Sequence, residues 1–117
     1  MGRATGIGGF FFRAQDPAAL SAWYQKHFGF PAGGPWRTEE GTTVFAPFKA
    51  SSDYFPARSA FMVNLRVEGF DAIIAKLEAE GTPVKHIPGQ GYGRFAHVED
   101  PEGNPVEIWE PPSLAPL

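Results

Sequence analysis

The chain has no cysteine, which excludes disulfides, thiolate nucleophiles and any cysteine-ligated zinc site. Its three histidines stand apart, at positions 27, 86 and 97, and form no clustered ligand motif. Positive charge is not in excess. The formal net charge of -3 argues against nucleic acid or an anionic membrane as the main partner. Long hydrophobic runs are missing too: Phe10-Phe11-Phe12 is far too short for a signal core or a membrane span. A soluble protein located in the cytoplasm is the expectation that follows.

Apolar residues make up 43% of the 117, enough for the core of one domain, taken as residues 1–117. The 14 glycines and 12 prolines fall between periodic segments, as in a turn-dense globular protein. One pattern occurs twice, 53 residues apart. Gly9-Phe10-Phe11-Phe12-Arg13 and Met62-Val63-Asn64-Leu65-Arg66 are each followed by an amphipathic helix.

In the first unit, residues 7–14 read as a strand. Asp16-Pro17 is a helix start, with Asp at the N-cap and Pro in the first turn. Leu20, Trp23, Tyr24, His27 and Phe28 form the apolar stripe, and Gly29 closes the helix. Short strands are expected at 36–38 and 43–46. The stretch 49–60, with Tyr54 and Phe55, is either a lid or a crossover. In the second unit, strand 61–67 leads to a helix near 69–80 with Phe70, Ile73, Ile74 and Leu77 inward. Strands follow at 84–87, 94–99 and 105–110. Asp100-Pro101-Glu102-Gly103-Asn104 joins the last two as a hairpin turn, Pro in second place and Gly in fourth. The order is βαβββ twice, an α+β fold with units over about 5–60 and 61–112.

Strand alternation assigns faces. Val63, Leu65 and Val67 pack beneath the helix, so Met62, Asn64 and Arg66 face away from it. Shifting by 53 places Gly9, Phe11 and Arg13 on the corresponding face. Val106 and Ile108 turn Glu107 and Trp109 outward, and Val98 does the same for Phe95 and His97. The candidate ligand-binding set is therefore Phe11, Arg13, Met62, Asn64, Arg66, Phe95, His97, Glu107 and Trp109, with Tyr92 bordering the mouth.

Asp16-Pro17, Trp23-Tyr24, Phe28-Gly29-Phe30 and the run from Asp100 to Ile108 together resemble the vicinal oxygen chelate superfamily. Its members include glyoxalase I, bleomycin-resistance proteins, fosfomycin-resistance enzymes and extradiol dioxygenases. The resemblance spans about residues 5–112 and implies a curved, mostly antiparallel sheet around a central cavity, with the helices outside. It also implies a metal site whose ligands are His or Gln at the first strand, His at the repeated strand and a final glutamate. Those positions hold Gly9, Met62 and Glu107. Glycine offers no donor, and a thioether suits hard divalent ions poorly. The expectation is thus no metal and no cofactor, with a small organic molecule, partly aromatic or anionic, as partner. The alternative is a divalent-metal lyase, isomerase or dioxygenase using Glu107 with unconventional ligands.

Several roles stay open on sequence grounds. Glu107 is a general base, a ligand acceptor or an ion-pair partner for Arg13 or Arg66. His97 is either its acid/base partner or a polar residue on a half-wet sheet face. Arg13 and Arg66 either clamp an anion or pair with Glu107 and Glu99. Half-open sheets with exposed edges point to a homodimer.

Overall fold

The computed structural model describes residues 1–113. It contains helix α1 (Pro17–Phe28), strand β1 (Val63–Arg66), helix α2 (Phe70–Ala79), and strands β2 (Lys85–Ile87), β3 (Arg94–Glu99) and β4 (Pro105–Glu110). The four strands form one mixed sheet in the order β1-β4-β3-β2. Strand β1 runs parallel to β4, and the two other pairings are antiparallel. None of the helices among the described residues is long and apolar enough to cross a membrane.

Both helices end as their sequences dictate. The Asp16 carboxylate accepts from the Ala19 amide at 3.0 Å, and Gly29 takes the left-handed conformation (φ 71°) that terminates α1. At the end of α2, Gly81 N–H bonds to the Glu78 carbonyl and Thr82 N–H to the Leu77 carbonyl. That pair of bonds is a Schellman motif, built on the positive φ of Gly81. Helix α2 has no side-chain cap of its own; Glu110 of β4 accepts from the Phe70 amide at 3.2 Å instead.

The core lies between these helices and one face of the sheet. Leu20 and Tyr24 of α1 and Phe70, Ile74 and Leu77 of α2 meet Ala96, Val98, Val106 and Ile108. The helices are also joined at their edges. Glu80 pairs with Lys26 and lies 3.0 Å from His27 Nε2, and burial holds the His27 ring below its ordinary pKa.

The Asp100–Asn104 turn organises the other end. Gly103 N–H bonds to the Asp100 carbonyl at 2.9 Å, closing the turn. The buried Asp100 carboxylate accepts from the amides of Glu102 and Asn104, from the Asn104 side chain, and from Tyr24 Oη at 2.8 Å. Burial and that bond to Asp100 push the Tyr24 hydroxyl far above the usual tyrosine range. Glu102 reaches back to accept from the amides of Gln15 and Asp16, tying the start of α1 to the hairpin.

The first unit departs from expectation. Residues 7–14, 36–38 and 43–46 form no strand. Aromatic and β-branched side chains suit a pleated surface, but a strand also needs a neighbouring backbone to complete its ladder. The second unit has that neighbour in β4; the first-unit segments have none among the described residues. The tandem, two-unit sheet is therefore seen only in its second half.

Replacing Asp100 by Ala should cost about 3 kcal/mol in urea unfolding, because it strips a buried hydroxyl and two amides of their acceptor. Glu99→Ala removes only the exposed pair with Arg58. Its effect should stay below about 1 kcal/mol. Equal losses in the two variants would contradict the role given to the turn.

Candidate functional site

On β4, Val106 and Ile108 are wholly buried beneath the helices, so alternation turns Glu107 to the opposite face. Register sets Asn64 of β1 and His97 of β3 on either side of Glu107. Three adjacent strands thus place an amide, a carboxylate and an imidazole in one row. Asn64 Nδ2 donates to Glu107 Oε1 at 2.7 Å, and His97 Nε2 lies 2.8 Å from Oε2. The fourth member is Tyr54, whose hydroxyl donates to Oε2 at 2.5 Å. Its ring stands edge-on to His97, with centroids 4.9 Å apart.

Burial pushes the Glu107 carboxyl upward, but the bonds from His97, Tyr54 and Asn64 outweigh it and hold the group below its ordinary value of 4.5. Glu107 is therefore ionised at neutral pH. An ionised carboxylate only accepts, so His97 presents a protonated Nε2 to it. Burial, with the Glu107 bond next, raises the Tyr54 hydroxyl above the usual tyrosine range, and it stays protonated. Such a cluster is a poor proton acceptor near neutrality, since a general base works best with a pKa near the operating pH.

Two residues along, a second row begins. Trp109 of β4 is flanked by Arg66 and Phe95. Phe95 and Trp109 stack with centroids 5.9 Å apart and planes 6° from parallel. Trp109 Nε1 donates to the Tyr92 carbonyl at 2.8 Å, fixing the loop that precedes β3. That loop needs glycine at two points. A Cβ at Gly89 would stand 1.8 Å from the Gly93 carbonyl oxygen, and Gly93, at φ 110°, approaches the Glu110 backbone too closely for any side chain. The folded loop walls a cleft of about 280 Å³ lined by Tyr54, Ile87, Pro88, Gly89, Gln90, Tyr92 and Phe95. Tyr54 belongs to both the cleft and the carboxylate cluster.

The candidate residues divide into three groups. Asn64, His97 and Glu107 converge, and beside them Phe95 stacks on Trp109 and lines the cleft together with Tyr92. Arg66 lies on the same face but is committed elsewhere, donating to the carbonyls of Thr42 and Glu39 at 2.6 and 2.7 Å. It pairs with neither Glu107 nor Glu99; Glu99 is bound by Arg58. Met62 is half-buried just before β1. Phe11 and Arg13 do not join the cluster. Phe11 is 93% exposed, with its ring against Gly9, and Arg13 is exposed without a polar partner among the described residues. Their expected position required a strand that does not form.

Tyr54 and the 87–90 residues are absent from the sequence-derived set. The signal for Tyr54 was its place in an otherwise aperiodic stretch beside Phe48 and Phe55, with which it forms an aromatic group. Among the described residues no three His, Asp or Glu side chains gather as a metal-binding group.

The model of the Glyoxalase/Bleomycin resistance protein/Dioxygenase superfamily matches residues 6–108. Among solved structures, TnmS3, an antibiotic binding protein from Streptomyces sp. CB03234, is similar with a TM-score of 0.62 and 21% identity. The match covers 96% of this chain and 100% of TnmS3. Oxidase ChaP-H1 is similar with a TM-score of 0.61 and 17% identity, over 93% of this chain and 98% of its own. At these identities the likeness is one of fold. No curated protein matches.

Because the folded-state carboxyl of Glu107 lies below its ordinary value of 4.5, its contribution to stability is present above that value and is lost as pH falls through the folded pKa. Thermal unfolding followed from pH 7 to pH 3 should show that decline. In Glu107→Gln the decline should be shallower, with a lower melting temperature at pH 7. An unchanged acid limb in the variant would remove Glu107 from this role.

Proposed function

The chain belongs to the Glyoxalase/Bleomycin resistance protein/Dioxygenase superfamily, and on that premise we propose a small-molecule-binding protein that works without the metal-ligand set its family resemblance implies. The ligand sits in the cleft beside Tyr54 and is partly aromatic. One observation carries the reading: both oxygens of Glu107 are already occupied by side-chain partners, namely Asn64, His97 and Tyr54. Of the three only His97 is a usual ligand for a divalent ion, so the cluster supplies two donors where a catalytic site usually takes three. Gly9 and Met62 supply nothing suitable at the other two positions. The residues present do not fit the ion.

The cleft offers aromatic rings, an apolar loop and the Gln90 amide. Arg66 is spent on backbone carbonyls, which favours an aromatic ligand over an anionic one. The antibiotic-binding description of TnmS3 supports a binder within the same fold. A single domain over 1–117, with tandem units over about 5–60 and 61–112 around a shared cavity, a homodimeric assembly and a cytoplasmic location complete the proposal. The competing reading is a divalent-metal lyase, isomerase or dioxygenase. It draws on the oxidase neighbour and on His97 beside Glu107.

One set of measurements separates the two. Manganese, iron(II), nickel and zinc should leave the melting temperature unchanged, since only an ion that binds the native state raises it. A rise that vanishes in Glu107→Gln would establish the metal enzyme instead. Acridone, an uncharged planar aromatic, should bind once per chain and quench tryptophan fluorescence. Phe95→Ala should weaken that binding at least about tenfold, the equivalent of about 1.4 kcal/mol. Stronger binding of anthracene-9-carboxylate, unaffected by Phe95→Ala, would count against the aromatic cleft.

A further inference from the structure

We propose that the Tyr54 hydroxyl is the specificity-determining group of the cleft, its oxygen accepting a hydrogen bond from an N–H or O–H on a neutral aromatic ligand. The assignment rests on the cleft reading given above and adds the polar feature that the ligand must carry. Three side chains with polar ends line the cleft, those of Tyr54, Gln90 and Tyr92. Gln90 and Tyr92 are exposed, Tyr92 at 71%, so water competes for their groups. Tyr54 alone of the three is half-buried. It is also the one cleft residue hydrogen-bonded to Glu107; Asn64, His97 and Glu107 itself do not line the cleft. Whatever the cleft senses of that carboxylate passes through the phenol.

A phenol has one proton to give and two lone pairs to offer. Here the proton lies on Tyr54 and is directed at Glu107 Oε2, 2.5 Å away. A phenol ordinarily releases its proton near about pH 10 and a carboxyl near about pH 4, so the two oxygens do not exchange roles. Turning that proton toward a ligand would give up a charge-assisted bond for a weaker neutral one. Tyr54 Oη makes no other hydrogen bond among the described residues, so toward the cleft it is an acceptor only. Donation to the carboxylate polarises the hydroxyl and strengthens its accepting end. The ring is also held in place before a ligand arrives. Phe48 packs against it with centroids 5.5 Å apart, His97 stands edge-on at 4.9 Å, and the Tyr54 amide bonds Ser52 Oγ at 3.2 Å. Such preorganisation lowers the ordering cost of binding. A ligand that turns a lone pair toward the hydroxyl sets acceptor against acceptor and leaves a desolvated group unpaired, a mismatch that binding sites penalise strongly. An anion is disfavoured on the same ground, with the Glu107 carboxylate beyond the hydroxyl.

Acridone and xanthone put this to the test. The two share one tricyclic outline and one carbonyl, but acridone carries a ring N–H where xanthone carries an ether oxygen. Quenching of tryptophan fluorescence in the full chain should show acridone binding about tenfold more tightly than xanthone. That comparison needs no variant to fold. In Tyr54→Phe, which keeps the ring and removes the oxygen, the preference for acridone should disappear. Glu107→Gln, which releases the hydroxyl from its charged acceptor, should shrink it. A merely structural role for Tyr54 would weaken both ligands together and leave their ratio untouched. Equal binding of the two by the wild type, a preference for xanthone, or an undiminished ratio in Tyr54→Phe overturns the acceptor and leaves the aromatic cleft standing. Failure of both ligands to bind the wild type sinks the cleft reading itself, and the acceptor with it.

Discussion

The alternation of one strand governs this structure. Strand β4 is hydrogen-bonded on both edges, and its even-numbered residues Val106 and Ile108 are sealed beneath the helices. A slip of one residue would bury Glu107 and Trp109 in the apolar core and expose two fully buried aliphatic side chains. Register is thereby fixed, and with it the two cross-strand rows that face the other way. Everything chemical about the molecule follows from that choice: the carboxylate gains its donors because β1 and β3 are in step with it, and Trp109 finds Phe95 for the same reason.

The second unit was largely legible in the sequence. Its helix, its hairpin and the faces of its strands follow from apolar periodicity, from a Pro and a Gly at set turn positions, and from the contrast between Val106 or Ile108 and their neighbours. Such signals are local, and each has one structural solution. The first unit was not legible in the same way. Phe10-Phe11-Phe12 has the composition of a strand, yet pairing depends on a backbone that its own sequence does not specify. Helix α1 was readable because Asp16 and Gly29 cap it without help from elsewhere.

Partner choice was the other gap. Two arginines facing a carboxylate suggested ion pairs, and neither forms one with Glu107. Arg66 takes backbone carbonyls from the 39–42 segment, while tyrosine, asparagine and histidine supply the carboxylate. A buried carboxylate must be met by donors, but sequence does not say whose. Tyr54 lies 53 residues away in a stretch with no periodicity, so only the folded chain reveals it.

The bonds from Glu102 to the amides of Gln15 and Asp16 span 87 and 86 residues, most of the polypeptide. Together with the fastening of Asp100 to Tyr24, they make the most distinctive run of the sequence a clasp between the two ends of the chain. Bringing such distant points together exacts a loop-closure entropy early in folding. In this chain the run from Asp100 to Asn104 thus serves closure of the fold. That run reports how the chain is closed, and is silent about what the cleft binds.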